Sequence, residues 1–136
     1  MIQYSNNKDG FENLEMDGFF VGWPNPPSLE VFKQILLGSY KVILAYENDR
    51  LIGFITSVSD GVLSAYIPFL EVLPAYQGKG IGKKLVKLLQ DELKHLYMID
   101  LLCDEELIPY YENLGMMKVQ GACLRNYERQ SGVSLS

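Results

Sequence analysis

The chain has 136 residues, which is enough for one compact domain with a sizeable core and too few for two ordinary domains. Hydrophobic residues make up 48% of it and charged residues 21%, values typical of globular proteins that argue against a disordered or fibrous chain. The net charge of −5 argues against general binding of nucleic acids, because neutralising phosphates requires a basic face. We therefore expect a single domain over residues 1–136.

Targeting signals and metal motifs are not apparent in the sequence. No run of about 18 apolar residues occurs, and the first residues lack a basic flank followed by an apolar stretch. The two cysteines, Cys103 and Cys123, lie in apolar surroundings without CxxC spacing or a neighbouring histidine cluster. These features predict a cytoplasmic protein with buried free thiols, no membrane partner and no zinc site.

The first half of the chain is predicted to form a short strand at residues 2–4, then a helix and an antiparallel hairpin. Ser28 is a typical N-cap, and the helix that follows it ends at Gly38. Its apolar residues are spaced for one face: Leu29, Phe32, Leu36 and Leu37. Segments 41–47 and 51–57 are rich in β-branched and aromatic residues and flank a polar turn, which is the pattern of a hairpin.

An apolar segment, residues 63–73, is predicted to form one long strand after a turn at Asp60. Pro68 interrupts it, and since proline cannot donate to a ladder, the strand must be bulged or unpaired there. The spacing of apolar residues then changes to a helical period from Gly80 to about His95.

The last third of the chain is predicted to alternate between strands and a helix. Residues 98–103 are nearly all apolar, which favours a strand buried on both faces. Pro109 suits the first turn of a helix that Gly115 closes, and residues 117–127 are expected to add one or two strands. This order of elements predicts an α/β or α+β sheet with mixed strand directions.

The junction before the second helix is dense in glycine and basic. Residues 72–83 read Val-Leu-Pro-Ala-Tyr-Gln-Gly-Lys-Gly-Ile-Gly-Lys, and residues 72–90 contain four lysines and no acidic residue, so the remainder of the chain carries −9. A strand that enters a helix through glycines presents unpaired N–H groups and the positive end of the helix dipole to an anion. This pattern predicts a phosphate-binding loop, with a plain strand-to-helix connection as the alternative.

Two common phosphate loops do not fit this segment. The Walker pattern, GxxxxGK followed by Ser or Thr, would put Gln77 at the first glycine and Lys84 at the magnesium ligand. The dinucleotide fingerprint GxGxxG fails because Gly78, Gly80 and Gly82 are spaced GxGxG and little chain is left for a dinucleotide fold.

The segment resembles instead the acetyl-CoA loop of the GCN5-related N-acetyltransferase (GNAT) superfamily, (Q/R)xxGx(G/A). Gln77, Gly80 and Gly82 fill its fixed positions, and the V-x-P lead-in lies at 72–74. A second motif of the family, FYxxxGF, is approximated by residues 110–116, Tyr-Tyr-Glu-Asn-Leu-Gly-Met. The resemblance implies a mixed, mostly antiparallel central sheet flanked by helices, in which a bulged strand splays from its neighbour to form the acetyl-CoA cleft.

The resemblance also implies a cofactor site. The amides that would hold the pyrophosphate of acetyl-CoA are those of Gln77, Gly78, Lys79, Gly80, Ile81, Gly82 and Lys83. Val72 and Leu73 would offer backbone groups to the pantetheine arm, and Asp104 stands where the family often has an Asn beside that arm. Tyr110 would form part of the cofactor wall.

The implied reaction is direct attack of a primary amine on the acetyl thioester. Tyr111 matches the position of the family's frequent general acid. A tyrosine hydroxyl suits this role because it is a neutral donor at pH 7. The amide of Leu73 is the candidate donor to the oxyanion. An alkylamine with a pKa of about 10 is mostly charged at pH 7, so a proton acceptor is needed, and Glu71 is the candidate base. The family often has a carboxylate four residues before the valine of V-x-P, and that position is Pro68 here.

Residues 67–82 further resemble the plant and cyanobacterial branch of the family, whose members act on serotonin-like arylalkylamines or on protein lysines. The acetyl acceptor is therefore expected to be a small-molecule amine or a lysine side chain, received near Phe19, Phe20 and Trp23. A homodimer stays open as the assembly. The alternatives are a catalytically inert CoA-binding regulatory or interaction protein and an enzyme that transfers a longer acyl group.

Overall fold

The computed structural model describes residues 1–133, so the end of the predicted domain at 134–136 lies outside the described residues. The strands are β1 Ile2–Ser5, β2 Val42–Glu47, β3 Arg50–Thr56, β4 Val58–Ser59, β5 Ser64–Tyr66, β6 Leu70–Val72 and β7 Met98–Asp100. The helices are α1 Leu29–Gly38, α2 Ile81–Glu92 and α3 Ile108–Glu112, with short 3-10 turns at Pro74–Tyr76, Glu105–Leu107 and Tyr127–Arg129. None of the helices in this part of the chain has the length and apolar character of a membrane span.

Two sheets form the centre of the fold. Strands β1, β2, β3 and β6 pair in that order and antiparallel, while β4, β5 and β7 form a second sheet in which β5 and β7 run parallel. One hydrophobic core packs α2 against one face of the central strands. A second core packs α1 and the chain before it against the opposite face of the same strands. The mixed, mostly antiparallel sheet flanked by helices is thus confirmed.

Helix α1 begins at its predicted cap. The Ser28 hydroxyl accepts a hydrogen bond from the Val31 N–H at 3.2 Å, which satisfies one of the free N–H groups of the first turn. Of the predicted apolar face, Phe32 and Leu36 are buried. Leu29 and Leu37 are exposed, contrary to the prediction, because Leu29 lies in the first turn and Leu37 is about 100° around the helix axis from Leu36.

The predicted long strand over residues 63–73 is divided between the two sheets. Before Pro68, the Ile67 N–H donates to the Asp100 carbonyl at 2.9 Å; after it, the Phe69 carbonyl accepts from Thr56 N–H at 3.0 Å. The interruption at Pro68 is therefore confirmed, and the single continuous strand is wrong, because the chain changes its pairing partner across the proline. The two sheets separate at this point, and we call the space beside the unpaired edge of β6 the cleft.

Helix α2 follows the glycine loop and ends earlier than predicted. The buried residues of this helix are Ile81, Leu85, Val86 and Leu89. The helix ends at Glu92, three residues before His95, although Leu93 and Leu96 continue to pack in the core. The helical spacing of apolar residues continues past Glu92 because the turn after the helix is also buried, and the prediction therefore made the helix too long.

The C-terminal part departs most from expectation. Strand β7 is only three residues long, and Met98 is exposed, so burial on both faces is wrong. Within the described residues, 117–126 form no strand, because this segment runs past β7 without entering a ladder. Cys103 is half-buried and Cys123 is exposed, so the prediction of two buried thiols is also wrong. Pro109 lies in the first turn of α3 as predicted.

Candidate functional site

The start of α2 carries a row of open hydrogen-bond donors. In the described structure, no backbone or side-chain group accepts from the N–H groups of residues 78–83, and the first bond of the helix runs from Lys84 N–H to the Gly80 carbonyl at 3.1 Å. Gly78 and Gly80 adopt φ of 79° and 81°, and a Cβ added at either would meet no atom within 4 Å. The first turn contains no acidic residue. This geometry can cradle an anion with main-chain donors.

The shape of this glycine loop (residues 77–83) is fixed by contacts that leave those donors free. The Gln77 side-chain amide donates to the Val72 carbonyl at 3.0 Å, and the Tyr76 hydroxyl donates to Glu47 at 3.1 Å. The Lys79 ammonium lies 5.3 Å from the centre of the Tyr76 ring. The Lys83 side chain is exposed near the donors, whereas that of Ile81 is buried in the core, so Ile81 offers only its N–H.

The register between β3 and β6 decides which amide faces the cleft. The Leu73 N–H donates to the Ile52 carbonyl at 2.9 Å. It is therefore engaged in the sheet, and the prediction that Leu73 supplies the oxyanion donor is wrong. Because backbone groups alternate in direction along an antiparallel strand, those of Val72 face away from β3, toward the cleft. Sequence reasoning missed this by one residue, since only the pairing register distinguishes the two amides.

Tyr110 lies against the glycine loop. A Cβ added at Gly82 would be 3.1 Å from the Tyr110 hydroxyl and 3.8 Å from a methyl group of Val72. The hydroxyl, the start of α2 and the end of β6 thus meet at one point. Burial raises the pKa of Tyr110, so the hydroxyl is a neutral donor at this junction.

Tyr111 lies next to Tyr110, on the side of β7. Its ring stacks edge-on against Tyr110, with 5.0 Å between centroids, and it lines a cavity of about 650 Å³ beside β7 together with Cys103. Burial, with smaller contributions from Tyr110 and Cys103, raises the pKa of Tyr111 to about 12. Its hydroxyl is therefore protonated at neutral pH and can donate a hydrogen bond or a proton.

Glu71, the predicted base, faces a loop on the opposite side of β6 from α2. One carboxylate oxygen accepts from the Phe20 N–H at 2.9 Å and the other from the Val21 N–H at 3.3 Å. Both oxygens are thus directed at backbone donors. The Glu71 carboxylate therefore fastens this loop, which we call the aromatic loop (residues 17–23).

The aromatic loop contains the predicted acceptor residues. Phe19 and Phe20 pack mainly into the core around Phe32 and Phe54. Trp23 is 37% exposed, and its ring lies 5.0 Å from the ring of Phe20. The loop and the first turns of α1 enclose a cavity of about 380 Å³. Trp23 is therefore the most exposed of the three aromatic residues, whereas Phe19 and Phe20 line the cavity.

Asp104 is exposed and lies at the start of the turn 105–107, where its carbonyl accepts from Leu107 N–H at 2.9 Å. Its carboxylate makes no capping bond in the described chain. Residues 1–133 also hold no group of His, Cys, Asp and Glu side chains arranged as metal ligands. The structure therefore brings Val72, the glycine loop and Tyr110 together, while Asp104 and Tyr111 lie along β7 and its continuation.

Comparisons with known proteins agree with this geometry. The model of the Acetyltransferase (GNAT) family matches residues 8–116. The crystal structure of a candidate acetyltransferase from Deinococcus radiodurans R1 superposes with a TM-score of 0.90 at 39% identity, covering 98% of this chain and 94% of that one.

Curated relatives point the same way. The uncharacterized N-acetyltransferase ycf52 of Porphyra purpurea is 31% identical over 123 residues, which are 86% of this chain and 71% of that protein. Histone acetyltransferase TAP1 of Glycine max is 35% identical over 108 residues, or 70% of this chain. The chain spans 46% of the length of TAP1, so it corresponds to less than half of that relative.

Proposed function

We propose that this chain, which belongs to the GNAT family of acetyltransferases, transfers the acetyl group of acetyl-CoA to a primary amine. The observation that carries the proposal is the row of open N–H groups at residues 78–83, next to the point where the two sheets separate. A diphosphate fits such a row, and an extended thiol-bearing arm fits a cleft between diverging strands.

The residues present fit acetyl-CoA. The open N–H groups of residues 78–83 would hold the pyrophosphate, with the ammonium groups of Lys79 and Lys83 at its rim. Contrary to the prediction, the Gln77 N–H donates instead to the Pro74 carbonyl at 3.3 Å. The backbone groups of Val72 would pair with the pantetheine arm, and Tyr110 would form the wall beside it. When bound, acetyl-CoA supplies the thioester carbon that the amine attacks and the thiol that leaves.

The protein's own groups then orient this exchange. The Val72 N–H, rather than that of Leu73, is directed toward the cleft and would donate to the thioester oxygen as negative charge develops on it. The Tyr111 hydroxyl, whose ring packs against Tyr110, holds its proton at neutral pH and would supply it to the departing sulfur, while the proton that the amine loses would pass to solvent.

Turnover of acetyl-CoA with a panel of amines, followed by thiol release, tests the proposal. The panel includes lysine peptides besides small amines, because TAP1 is named a histone acetyltransferase. Thiol release above background with any amine supports transfer. Binding of CoA without release from any amine would instead identify an inert CoA-binding protein, and faster release from longer acyl chains would identify a different acyl donor.

The tyrosine pair provides a matched test of the acid. Tyr111→Phe is expected to lower kcat about 100-fold or more while CoA affinity changes little, as general acids typically contribute this much. Tyr110→Phe is the control, and it should weaken CoA binding more than it lowers kcat. Equal loss of kcat and CoA affinity in Tyr111→Phe would remove Tyr111 from the acid role.

A cytoplasmic location stays a prediction from the sequence.

A further inference from the structure

The aromatic loop is held in a conformation that it would not adopt unaided. Phe20 has φ of 60°, in the left-handed region that is unfavourable for a bulky side chain, and Gly18 and Gly22 on either side have φ of 92° and 83°. This alternation turns two consecutive N–H groups, those of Phe20 and Val21, toward the carboxylate of Glu71. An anion is the natural partner of successive N–H groups that converge in this way.

The start of the same loop is fastened by Arg50. Its guanidinium donates to the Asp17 carboxylate and, at 2.7 Å, to the Asp17 carbonyl. The hydrogen bond from Arg50 holds the pKa of the Asp17 carboxyl below its ordinary value. Arg50 belongs to β3 and Glu71 to β6, which pair directly, so the start and the middle of the loop are fixed to neighbouring strands.

Glu71 also adjoins the reaction site in the chain. The backbone of Val72 is directed to the cleft, whereas the Glu71 side chain reaches the loop that carries Trp23. A shift of the loop would therefore change the acceptor side of the cleft without moving the glycine loop, whose contacts are to Val72 and Glu47.

We propose that Glu71 is a positioning residue for the acceptor: its carboxylate fixes the aromatic loop against β6, and it is not the base that takes the proton of the amine. This assignment rests on the proposed function, because it treats the loop as the acceptor side of the site. It replaces the base role predicted from the sequence.

Trp23 offers a direct probe, because it is the only tryptophan of the chain and lies within the aromatic loop. In Glu71→Gln, the amide can accept only one of the two N–H bonds and presents donors to the other. If the loop is released in this way, we expect the fluorescence emission of Trp23 to shift to longer wavelength and acrylamide to quench that emission more strongly. Glu12→Gln is the control, since Glu12 is an exposed carboxylate that the described structure places in no hydrogen bond or ion pair.

Kinetics separate the positioning role from the base role. For Glu71→Gln, the KM of the amine should rise about tenfold, the effect of one lost charge-assisted hydrogen bond, while kcat, its pH profile and CoA affinity stay nearly unchanged. Glu71→Asp keeps the carboxylate but is too short for both bonds, so it should behave like Glu71→Gln. It also covers the case in which Glu71→Gln fails to fold.

Two results would overturn the assignment. A large loss of kcat with a displaced pH profile, together with unchanged Trp23 emission, would make Glu71 the base. Unchanged emission together with an unchanged amine KM would show that the carboxylate does not position the loop. If the unsubstituted protein acetylates no amine, the proposed function fails first, and that outcome is distinguished from the others because it appears before any substitution.

Discussion

The glycine loop and the aromatic loop use the same device for opposite purposes. Each contains residues with positive φ that expose consecutive backbone N–H groups. In the aromatic loop, the Glu71 carboxylate of the protein itself occupies those groups. In the glycine loop, no acceptor among the described residues bonds the N–H groups of residues 78–83. The glycine loop is thus open to an anion from outside, whereas the aromatic loop is already complete and can serve as a rigid wall.

The two loops are fixed by different partners. The glycine loop and the turn before it are held by Val72 and Glu47, whereas the aromatic loop is held by Glu71 and Arg50. Substitutions in one loop should therefore affect the cofactor and those in the other the amine.

Filling the glycine loop should produce the largest effect. In Gly80→Val, a β-branched residue is forced to φ of about 81° and its side chain occupies the space before the open N–H groups. We expect CoA affinity to fall at least 100-fold, about 2.7 kcal/mol, in a calorimetric titration. Gly38→Ala, at an open position without positive φ at the end of α1, should leave it unchanged. Normal CoA affinity in folded Gly80→Val would contradict the cradle.

Releasing the start of the aromatic loop should have a smaller effect, confined to the amine. Arg50→Gln removes both bonds to Asp17, and since Asp17 is exposed and solvent screens the pair, we expect the amine KM to rise about fivefold. CoA affinity should not change. Arg125→Gln, in the exposed C-terminal segment, is the control. An Arg50→Gln protein that loses CoA affinity and keeps its amine KM would reverse the assignment of the two loops.

A local contact beside the aromatic loop should act on stability alone. Ser28→Ala removes the cap of α1 and should lower the free energy of unfolding by about 1 kcal/mol. Urea denaturation measures this loss. CoA affinity and Trp23 emission should be unchanged, because the cap fixes no part of either loop; a change in emission would show that the cap and the loop are coupled.

Alkaline pH should reveal the smallest effect, at Tyr111. Burial raises the pKa of Tyr111 to about 12 in the folded protein, above the ordinary value of 10.0. Its contribution to stability is therefore complete below about pH 10 and is lost as the pH rises toward 12. Urea denaturation at several pH values should show a steeper fall over this range for the unsubstituted protein than for Tyr111→Phe. Equal slopes would indicate that Tyr111 is not desolvated.

Features encoded within a few residues could be predicted from the sequence. The Ser28 cap, the hairpin of β2 and β3, and the break at Pro68 each depend on the properties of neighbouring residues, and each is present. Features that depend on a partner were predicted wrongly. The continuous strand over 63–73 failed because neither half of it indicates which strand it will pair with, and the strands over 117–127 failed because an apolar segment does not specify a ladder.

The amino-acid sequence by itself determined the shape and openness of the glycine loop, because the left-handed conformations of Gly78 and Gly80 favour glycine and the absence of acidic residues leaves the helix start open to an anion. Only the tertiary structure decided that Val72 rather than Leu73 turns its amide to the cleft, and that Glu71 holds the aromatic loop. The physical reason is that the direction of a backbone amide follows from strand register, and the partner of a carboxylate can lie 51 residues away.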